Sequence, residues 1–216
     1  MRNPAVCTIC RKRRAERFCP AKGESICAVC CATEREITID CPSDCPYLIA
    51  AHRREEERRE GLDESEIPFP DVSISQAFIH EQRGLVAGLS LAIMDHASRE
   101  TALVDADVFA ALAALAETYR TLGAGLYYES PPPATIPHAL YSALAKYLQG
   151  WKEKGASEAG APPARDNDVF RILVFLVRFG KVRSNGRPRT RGLLNFLRAQ
   201  FPQVQRVAES PRIIAP

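Results

Sequence analysis

Cysteine is absent after position 45, and so is any apolar run long enough to cross a membrane. All eight cysteines of the 216-residue chain lie in its first 45 residues. A membrane-spanning helix needs about 18 apolar residues, and no apolar run here approaches that length; Ile172–Val177, for example, is bounded by arginine on both sides. We therefore expect no membrane partner, and a C-terminal part whose fold depends on packing rather than on disulfides or metal ions.

The sequence also lacks the motifs of common catalytic sites. It has no glycine-rich phosphate loop, no Gly-x-Ser-x-Gly elbow and no Glu-x-x-His pair of a di-iron bundle. The histidines His80, His96 and His138 are scattered, and Asp95 and Glu100 beside His96 are typical of surface pairing at a helix end. We predict a protein that is not an enzyme, and keep an enzyme in the helical domain as the outside hypothesis.

The first residues lack the apolar core of a secretory signal peptide, since Cys7 follows Met1–Val6 at once. We therefore expect a cytoplasmic protein with reduced thiols, in which metal binding is favoured over disulfides. A thioredoxin-like redox pair would need a βαβ pattern, which the sequence does not show. A redox switch that releases metal stays an alternative, because Cys30 and Cys31 are adjacent.

The cysteine spacing predicts zinc binding. Two pairs have Cys-x-x-Cys spacing and a third has Cys-x-x-x-Cys spacing. Such pairs place two thiolates on one ion, and two pairs close a tetrahedral Zn²⁺ site. A segment of about 45 residues buries too little apolar surface to fold alone, so metal would stabilise it. Eight ligands suit two ions, and the predicted ligands are Cys7, Cys10, Cys19, Cys27, Cys30, Cys31, Cys41 and Cys45.

Local patterns around the cysteines predict short elements. Strands are expected at 16–19, 24–27 and 35–40, with a turn at 20–23 between the first two. Cys45 is expected to begin a helix, because Pro46 suits a first helical turn. A thiolate at that position is also favoured by the helix dipole.

These residues resemble the cross-brace and treble-clef zinc fingers of the HIT and MYND type. The resemblance rests on Cys7-x-x-Cys10, on Phe18-Cys19-Pro20, and on Ile26-Cys27 followed by Cys30 and Cys31, and it covers residues 5–48. It implies a finger that contacts other proteins. The chain departs from the pattern at Lys22, where such fingers carry a further cysteine.

The missing ligand leaves two groupings open. One has Cys7, Cys10, Cys27 and Cys30 in the first site and Cys19, Cys31, Cys41 and Cys45 in the second. In the other, Cys30 and Cys31 exchange places. The sequence does not choose between them.

The predicted fold class is a small Zn-stabilised α/β finger followed by an all-α helical bundle. Residues 1–48 are the cysteine-rich zinc-binding module, 49–71 a charged connector helix and linker, 72–201 the helical bundle domain, and 202–216 a C-terminal tail. Apolar periodicity predicts the bundle helices. The first helix begins with a capping box at 73–76, and the second and third span 105–122 and 137–154. The fourth begins at about 166–168 and is apolar almost all round, and the last contains 193–197.

Two basic segments are candidate nucleic-acid sites, because arginine and lysine contact phosphates. The alternative for the second segment, an Arg-rich loop with Asn185–Gly186 and Pro188, is docking on an acidic surface such as the chain's own connector helix. The residues are Arg11, Lys12, Arg13 and Arg14 in the finger, and Arg178, Lys181, Arg183, Arg187, Arg189 and Arg191 near the C-terminus.

The sequence thus favours a non-catalytic zinc-binding adaptor with a protein partner for the finger and another for the bundle. A nucleic-acid-binding regulatory protein that uses the two basic segments is the alternative. The net charge of +3 is too small to decide between these partners.

Overall fold

The computed structural model describes residues 5–58, 67–157 and 165–202. Residues 59–66 of the predicted linker, part of the predicted loop at 155–164 and residues 203–216 of the predicted tail lie outside these ranges. In the described ranges, no helix combines the length and the apolarity that crossing a membrane requires.

The finger begins with a two-stranded hairpin, as predicted. Strand β1 (Arg17–Cys19) pairs antiparallel with β2 (Glu24–Ile26), with Arg17 opposite Ile26. The chain reverses between them with Gly23 at φ 65°, a left-handed conformation that glycine adopts without a Cβ clash. The hairpin ends β1 at one cysteine, Cys19, and leads from β2 directly into another, Cys27.

The prediction of a strand at 35–40 is wrong. Helix α1 (Ala28–Glu34) ends there in a tight turn, in which the carbonyl of Glu34 accepts from the backbone N–H groups of Ile37 and Ile39. The polar and apolar alternation is real, but it reflects one buried residue, Ile39, beside an exposed Ile37. No neighbouring strand offers its edge to this segment in the described part of the chain, so local hydrogen bonds prevail.

Helix α2 (Pro46–Glu57) is the predicted connector helix. Cys45 is its N-cap and Pro46 its first residue, as expected from the fixed φ of proline. Its N-terminal turn is anchored by the buried Leu48, and its C-terminal half is charged and mostly exposed. The N-terminal end of α2 therefore packs on the finger, and most side chains of its C-terminal half are exposed to solvent.

After α2, the regular elements of the described residues are all helices. The first predicted helix is divided at Gln82, and its N-cap is Ser75 rather than Ser73, with the Ser75 hydroxyl accepting from the backbone N–H of Phe78 at 3.2 Å. The six helices are α3 (Gln76–Glu81), α4 (Arg83–Arg99), α5 (Asp105–Gly123), α6 (Thr135–Ser157), α7 (Asp166–Arg183) and α8 (Gly192–Gln200).

Helix α7 of this helical body is buried along most of its length, as its apolar circumference predicts. It packs mainly on α5 and also contacts α4 and α8, while α6 packs on α5 and α4. Ile172, Leu173 and Val174 are completely buried. Each buried aliphatic side chain contributes about 1.5–3 kcal/mol, so this core holds the body together without cysteine.

The first residue of α5 caps the last helix. Asp105 is fully buried, and its carboxylate accepts from the backbone N–H groups of Leu193 at 2.9 Å and Leu194 at 3.2 Å. Burial raises the pKa of this carboxyl to about 6, although the two amide donors favour its charged form. The carboxylate satisfies N–H groups that the start of α8 would otherwise leave unpaired.

The segment between α7 and α8 lies against the finger. The guanidinium of Arg187 donates to the carbonyls of Ala32 at 3.3 Å and Arg35 at 2.7 Å, and the backbone N–H of Arg189 donates to the carbonyl of Glu36 at 2.9 Å. Arg191 forms an ion pair with Asp40 in the same turn. The finger and the helical body are therefore joined through residues 184–191.

Candidate metal centre

Four of the predicted ligands meet at one point. The Sγ atoms of Cys7, Cys10, Cys27 and Cys30 all lie within 4.8 Å of one another, and those of Cys10 and Cys27 are 4.0 Å apart. A tetrahedral zinc ion with Zn–S bonds of about 2.3 Å holds its sulfurs about 3.8 Å apart. The four thiols are thus spaced to hold a metal ion with little rearrangement.

Backbone hydrogen bonds shape both halves of this centre. In the first knuckle, the Cys7 N–H donates to the carbonyl of Arg13 and the Arg11 N–H donates to that of Cys7, each at 2.8 Å. In the second, Cys27 is the N-cap of α1 and its sulfur accepts from the backbone N–H of Cys30 at 3.3 Å. Amide donors and a helix N-terminus both favour thiolate, which is the form that binds metal.

The thiols of the centre do not share one pKa, since the pKa values of Cys7 and Cys10 are lowered and that of Cys30 is raised. Backbone hydrogen bonds from Lys12 and Arg13 lower the pKa of Cys10 to about 6. Burial opposes ionisation of Cys7, but amide donors outweigh it and lower its pKa. Burial and the neighbouring sulfurs raise the pKa of Cys30 to about 12. Four adjacent thiolates repel one another, so a divalent cation is the group that would allow all four to ionise.

Cys30, and not Cys31, belongs to this centre. Helix α1 places the two adjacent side chains at different angles, since consecutive residues of a helix point about 100° apart. Cys30 is buried in the cluster, whereas Cys31 is half-buried at its side. Of the two groupings left open by the sequence, the geometry supports the first site of the first one, which takes Cys30.

The other four cysteines are close but do not reach the same spacing. In residues 5–58, no three of Cys19, Cys31, Cys41 and Cys45 have their sulfurs within 4.8 Å of one another. Cys19 and Cys45 are buried, and burial followed by the charges of Cys45, Glu36 and Cys19 raises the pKa of Cys41. A second metal site therefore stays a prediction.

The basic residues of the finger differ in their surroundings. Arg11, Lys12 and Arg14 are exposed. Arg13 lies against the metal centre, where the sulfurs of Cys27 and Cys10 raise its pKa. Its guanidinium can therefore compensate the charge of the thiolates as well as face solvent.

The C-terminal basic residues form intramolecular contacts. The guanidinium of Arg178 donates to the carbonyls of Pro68 and Phe69, Lys181 lies over the ring of Phe109, and Arg183 lies 4.4 Å from the ring centroid of Phe196. Arg187 and Arg191 contact the finger, as described above. These five cations therefore all have partners within the protein. Arg187 and Arg191 are half-buried in these contacts, while the nucleic-acid prediction itself stays a prediction.

Sequence reasoning missed a buried polar cluster between the finger and α2. Glu36 is 1% exposed, and its carboxylate lies 2.9 Å from His52 Nε2 and accepts from the Asn185 amide at 2.9 Å. The Asn185 amide also donates to Glu55 at 3.1 Å. These residues are far apart in the chain and follow no motif, so spacing alone could not have revealed the cluster.

No protein-family model, curated protein or solved structure gives a significant match to the chain. The HIT and MYND resemblance therefore rests on the cysteine pattern, and what the geometry supports is a zinc-finger-like segment with one tetra-cysteine site.

Proposed function

We propose that the protein is a non-catalytic, zinc-binding interaction protein of the cytoplasm, with a finger of the HIT/MYND type that docks another protein. The observation that carries this proposal is the closed set of four thiols at Cys7, Cys10, Cys27 and Cys30. Four cysteine ligands leave no open coordination position, so the ion would be structural rather than catalytic. All-sulfur ligation selects zinc over hard cations such as Mg²⁺ or Ca²⁺.

We propose a second zinc ion on Cys19, Cys31, Cys41 and Cys45. Three observations support it. Cys19 and Cys45 are buried, and besides burial their charges help to raise the pKa of Cys41. Cys31 and Cys41 pack against the same small core. The ion would then join the end of β1, helix α1 and the start of α2.

The surface of the finger suits an adaptor. Five apolar side chains of the finger are about half exposed to solvent. They are Val6 (56%), Phe18 (59%), Val29 (46%), Ile37 (44%) and Ile49 (54%). Exposed apolar residues on a metal-stabilised scaffold are typical of protein contacts rather than of phosphate contacts.

The experiment is a capture with a photo-crosslinking residue at Phe18, compared with the same group at Arg120 on the helical body. Captured proteins are identified by mass spectrometry with and without nuclease. We expect a protein crosslinked at Phe18 and not at Arg120, insensitive to nuclease and lost in Cys7→Ser. Capture at neither position, or capture that nuclease abolishes, would contradict the adaptor proposal.

A nucleic-acid-binding function is the second candidate, favoured by the exposed cations of the first knuckle. Arg11, Lys12 and Arg14 have exposed side chains within one short loop, and clustered cations release counterions from a nucleic acid. Capture that nuclease abolishes would support this candidate over the adaptor.

A further inference from the structure

A groove of about 360 Å³ runs between helices α1 and α2 of the finger. Its floor is open because the facing positions of both helices carry alanine, the smallest side chain that a helix favours. The floor residues are Ala28, Ala32, Ala50 and Ala51. Alanine on both helices leaves room for side chains from outside the protein.

Three arginines line this groove. Arg17 comes from β1, Arg35 from the end of α1 and Arg54 from α2, and the acidic residue among the lining side chains is Glu55. The carboxylate of Glu55 accepts a hydrogen bond from the Asn185 amide at 3.1 Å. The guanidinium of Arg17 lies 4.8 Å from the centroid of the Tyr47 ring, which holds it at the edge of the groove. The walls are therefore positively charged.

Among the residues that line the groove, Arg35 has a buried polar atom without a partner. It is only 8% exposed, its Nε atom is buried without a hydrogen-bond partner, and it forms no ion pair with any residue in the described part of the chain. A buried N–H without a partner is costly, and a carboxylate that reaches the Arg35 guanidinium would remove that cost. Arginine also binds a carboxylate through two parallel hydrogen bonds.

We propose that this groove binds an acidic peptide segment of the partner protein, with a glutamate or aspartate on Arg35 and apolar side chains on the alanine floor. The inference rests on the adaptor function proposed above and names the surface and the chemistry of its partner. Small apolar positions between the cations suit side chains that alternate in character along an extended segment.

The surroundings favour a peptide over a nucleic acid. Glu55, Glu56 and Glu57 follow Arg54 directly along α2, and they would repel a continuous polyanion. Tyr47 is covered by the Arg17 guanidinium, so its ring is not free to stack on a base. A short carboxylate-bearing segment meets the arginines without running along the acidic end of the helix.

The test is fluorescence anisotropy on the zinc-loaded full chain. The probes are a fluorescein-labelled six-residue peptide of alternating Glu and Leu, its Gln and Leu counterpart, and a labelled single-stranded six-nucleotide DNA. We expect the Glu peptide to bind more tightly than the other two. Losing a charge-assisted bond in Arg54→Gln should weaken Glu-peptide binding about tenfold or more.

Arg53→Gln is the matched control, because Arg53 is 81% exposed on the same helix turn, pairs with Glu57 and lies outside the groove. It should leave Glu-peptide affinity within about twofold. Arg35→Gln should abolish binding of the Glu peptide. If the Arg35→Gln protein fails to load zinc, the comparison of Arg54→Gln with Arg53→Gln still decides the test. Equal effects of Arg53→Gln and Arg54→Gln, or no preference for Glu over Gln, would overturn the proposal.

Three further outcomes separate the groove from the adaptor function. If DNA binds best and loses affinity in Arg54→Gln, the groove takes a polyanion and the peptide proposal is wrong. If Arg54→Gln still crosslinks a protein partner through Phe18 at the wild-type level, the adaptor stands and the groove is not its docking site. If the wild type captures no protein, the adaptor function itself fails.

Discussion

The imidazole Nε2 of His52 lies 2.9 Å from Oε2 of Glu36, and this pair joins the middle of α2 to the turn that follows α1. Glu36 is almost completely buried and His52 is 21% exposed at its side chain. The hydrogen bond with Glu36 raises the pKa of His52. Burial would raise the pKa of Glu36, but its bonds with His52 and Asn185 outweigh this and lower it. The pair is therefore most stable in its ionised form.

The His52–Glu36 pair predicts a pH-dependent difference between wild type and His52→Gln. The variant keeps an N–H donor but no charge. The raised pKa of His52 gives stability that is complete below its ordinary value of 6.5 and is lost as pH rises through the folded value. The lowered pKa of Glu36 gives stability that is present above 4.5 and is lost as pH falls.

We therefore expect wild type to exceed His52→Gln by about 1 kcal/mol between pH 5 and 6.5, and the difference to vanish toward pH 9. Denaturant unfolding of both proteins across pH measures it, and the subtraction removes the shared titration of the cysteines. A constant difference across this range would show that His52 acts through packing alone.

Zinc stoichiometry tests the two cysteine groups separately. Native mass spectrometry of wild type should give two zinc ions per chain. Cys41→Ser should lose one ion and keep the tetra-cysteine centre, while Cys10→Ser should lose the ion at that centre. One ion in wild type that survives Cys41→Ser would remove the second site and leave the first intact.

Chelation should release the segment 184–191 while leaving the core of the helical body folded. The turn that holds Arg187, Arg189 and Arg191 lies between the cysteines of the finger, but the α5 and α7 core contains none. Hydrogen exchange should therefore speed up in residues 28–41 and 184–191 and stay slow in α7. Loss of protection throughout α7 would make the finger and the body one cooperative unit, and the predicted boundary at residue 71 would be wrong.

The sequence predicted elements whose stabilising contacts are local. The hairpin, the start of α2 at Cys45 and Pro46, and the buried circumference of α7 follow from turn chemistry, capping and periodicity. It did not predict the turn at 35–40, since two alternating isoleucines resemble a strand until their burial is known. It could not predict that Arg187 binds the carbonyls at Ala32 and Arg35, because no local rule relates residues so far apart in the chain.

The metal centre shows the same division. Cys-x-x-Cys spacing identified both halves of the site, because each half is a local loop. The assignment of Cys30 over Cys31 required the direction of each side chain on α1. The groove at Arg35 depends on two helices brought together by the fold, and alanines in the sequence give no sign of it.

Gly192 predicts a sharp packing effect at the start of α8. A Cβ on this residue would lie 2.4 Å from the backbone oxygen of Arg183, which cannot move without shifting the end of α7. We expect Gly192→Ala to destabilise the protein by about 1–3 kcal/mol. Gly150→Ala is the control, since its Cβ would meet nothing within 4 Å in helix α6; it should stabilise by about 0.5–1 kcal/mol. Thermal or urea unfolding measures both, and equal effects would show that α8 adjusts freely.

The last prediction concerns the combined substitution of Arg187, Arg189 and Arg191 by alanine. Arg187 donates to two carbonyls of the finger, and Arg191 binds Asp40 and the carbonyls of Leu103 and Thr101. Removing these charged donors should lower stability by about 2 kcal/mol or more. The control replaces Lys12 and Arg14 by alanine. Because both side chains are exposed, this change should alter stability by no more than about 0.5 kcal/mol.

Both variants are then titrated with labelled DNA and RNA at increasing salt. Each phosphate contact contributes about −0.9 to the slope of log affinity against log salt on duplex DNA, and about −0.7 on single strands. If the three arginines stabilise the interface with the finger, their loss should lower the melting temperature and leave the slope of log affinity against log salt unchanged. The control variant at Lys12 and Arg14 should instead reduce the magnitude of that slope by about one to two. A slope that falls by two to three units with an unchanged melting temperature would instead make the loop a phosphate-binding segment, and its contacts with the finger would then be dispensable for folding.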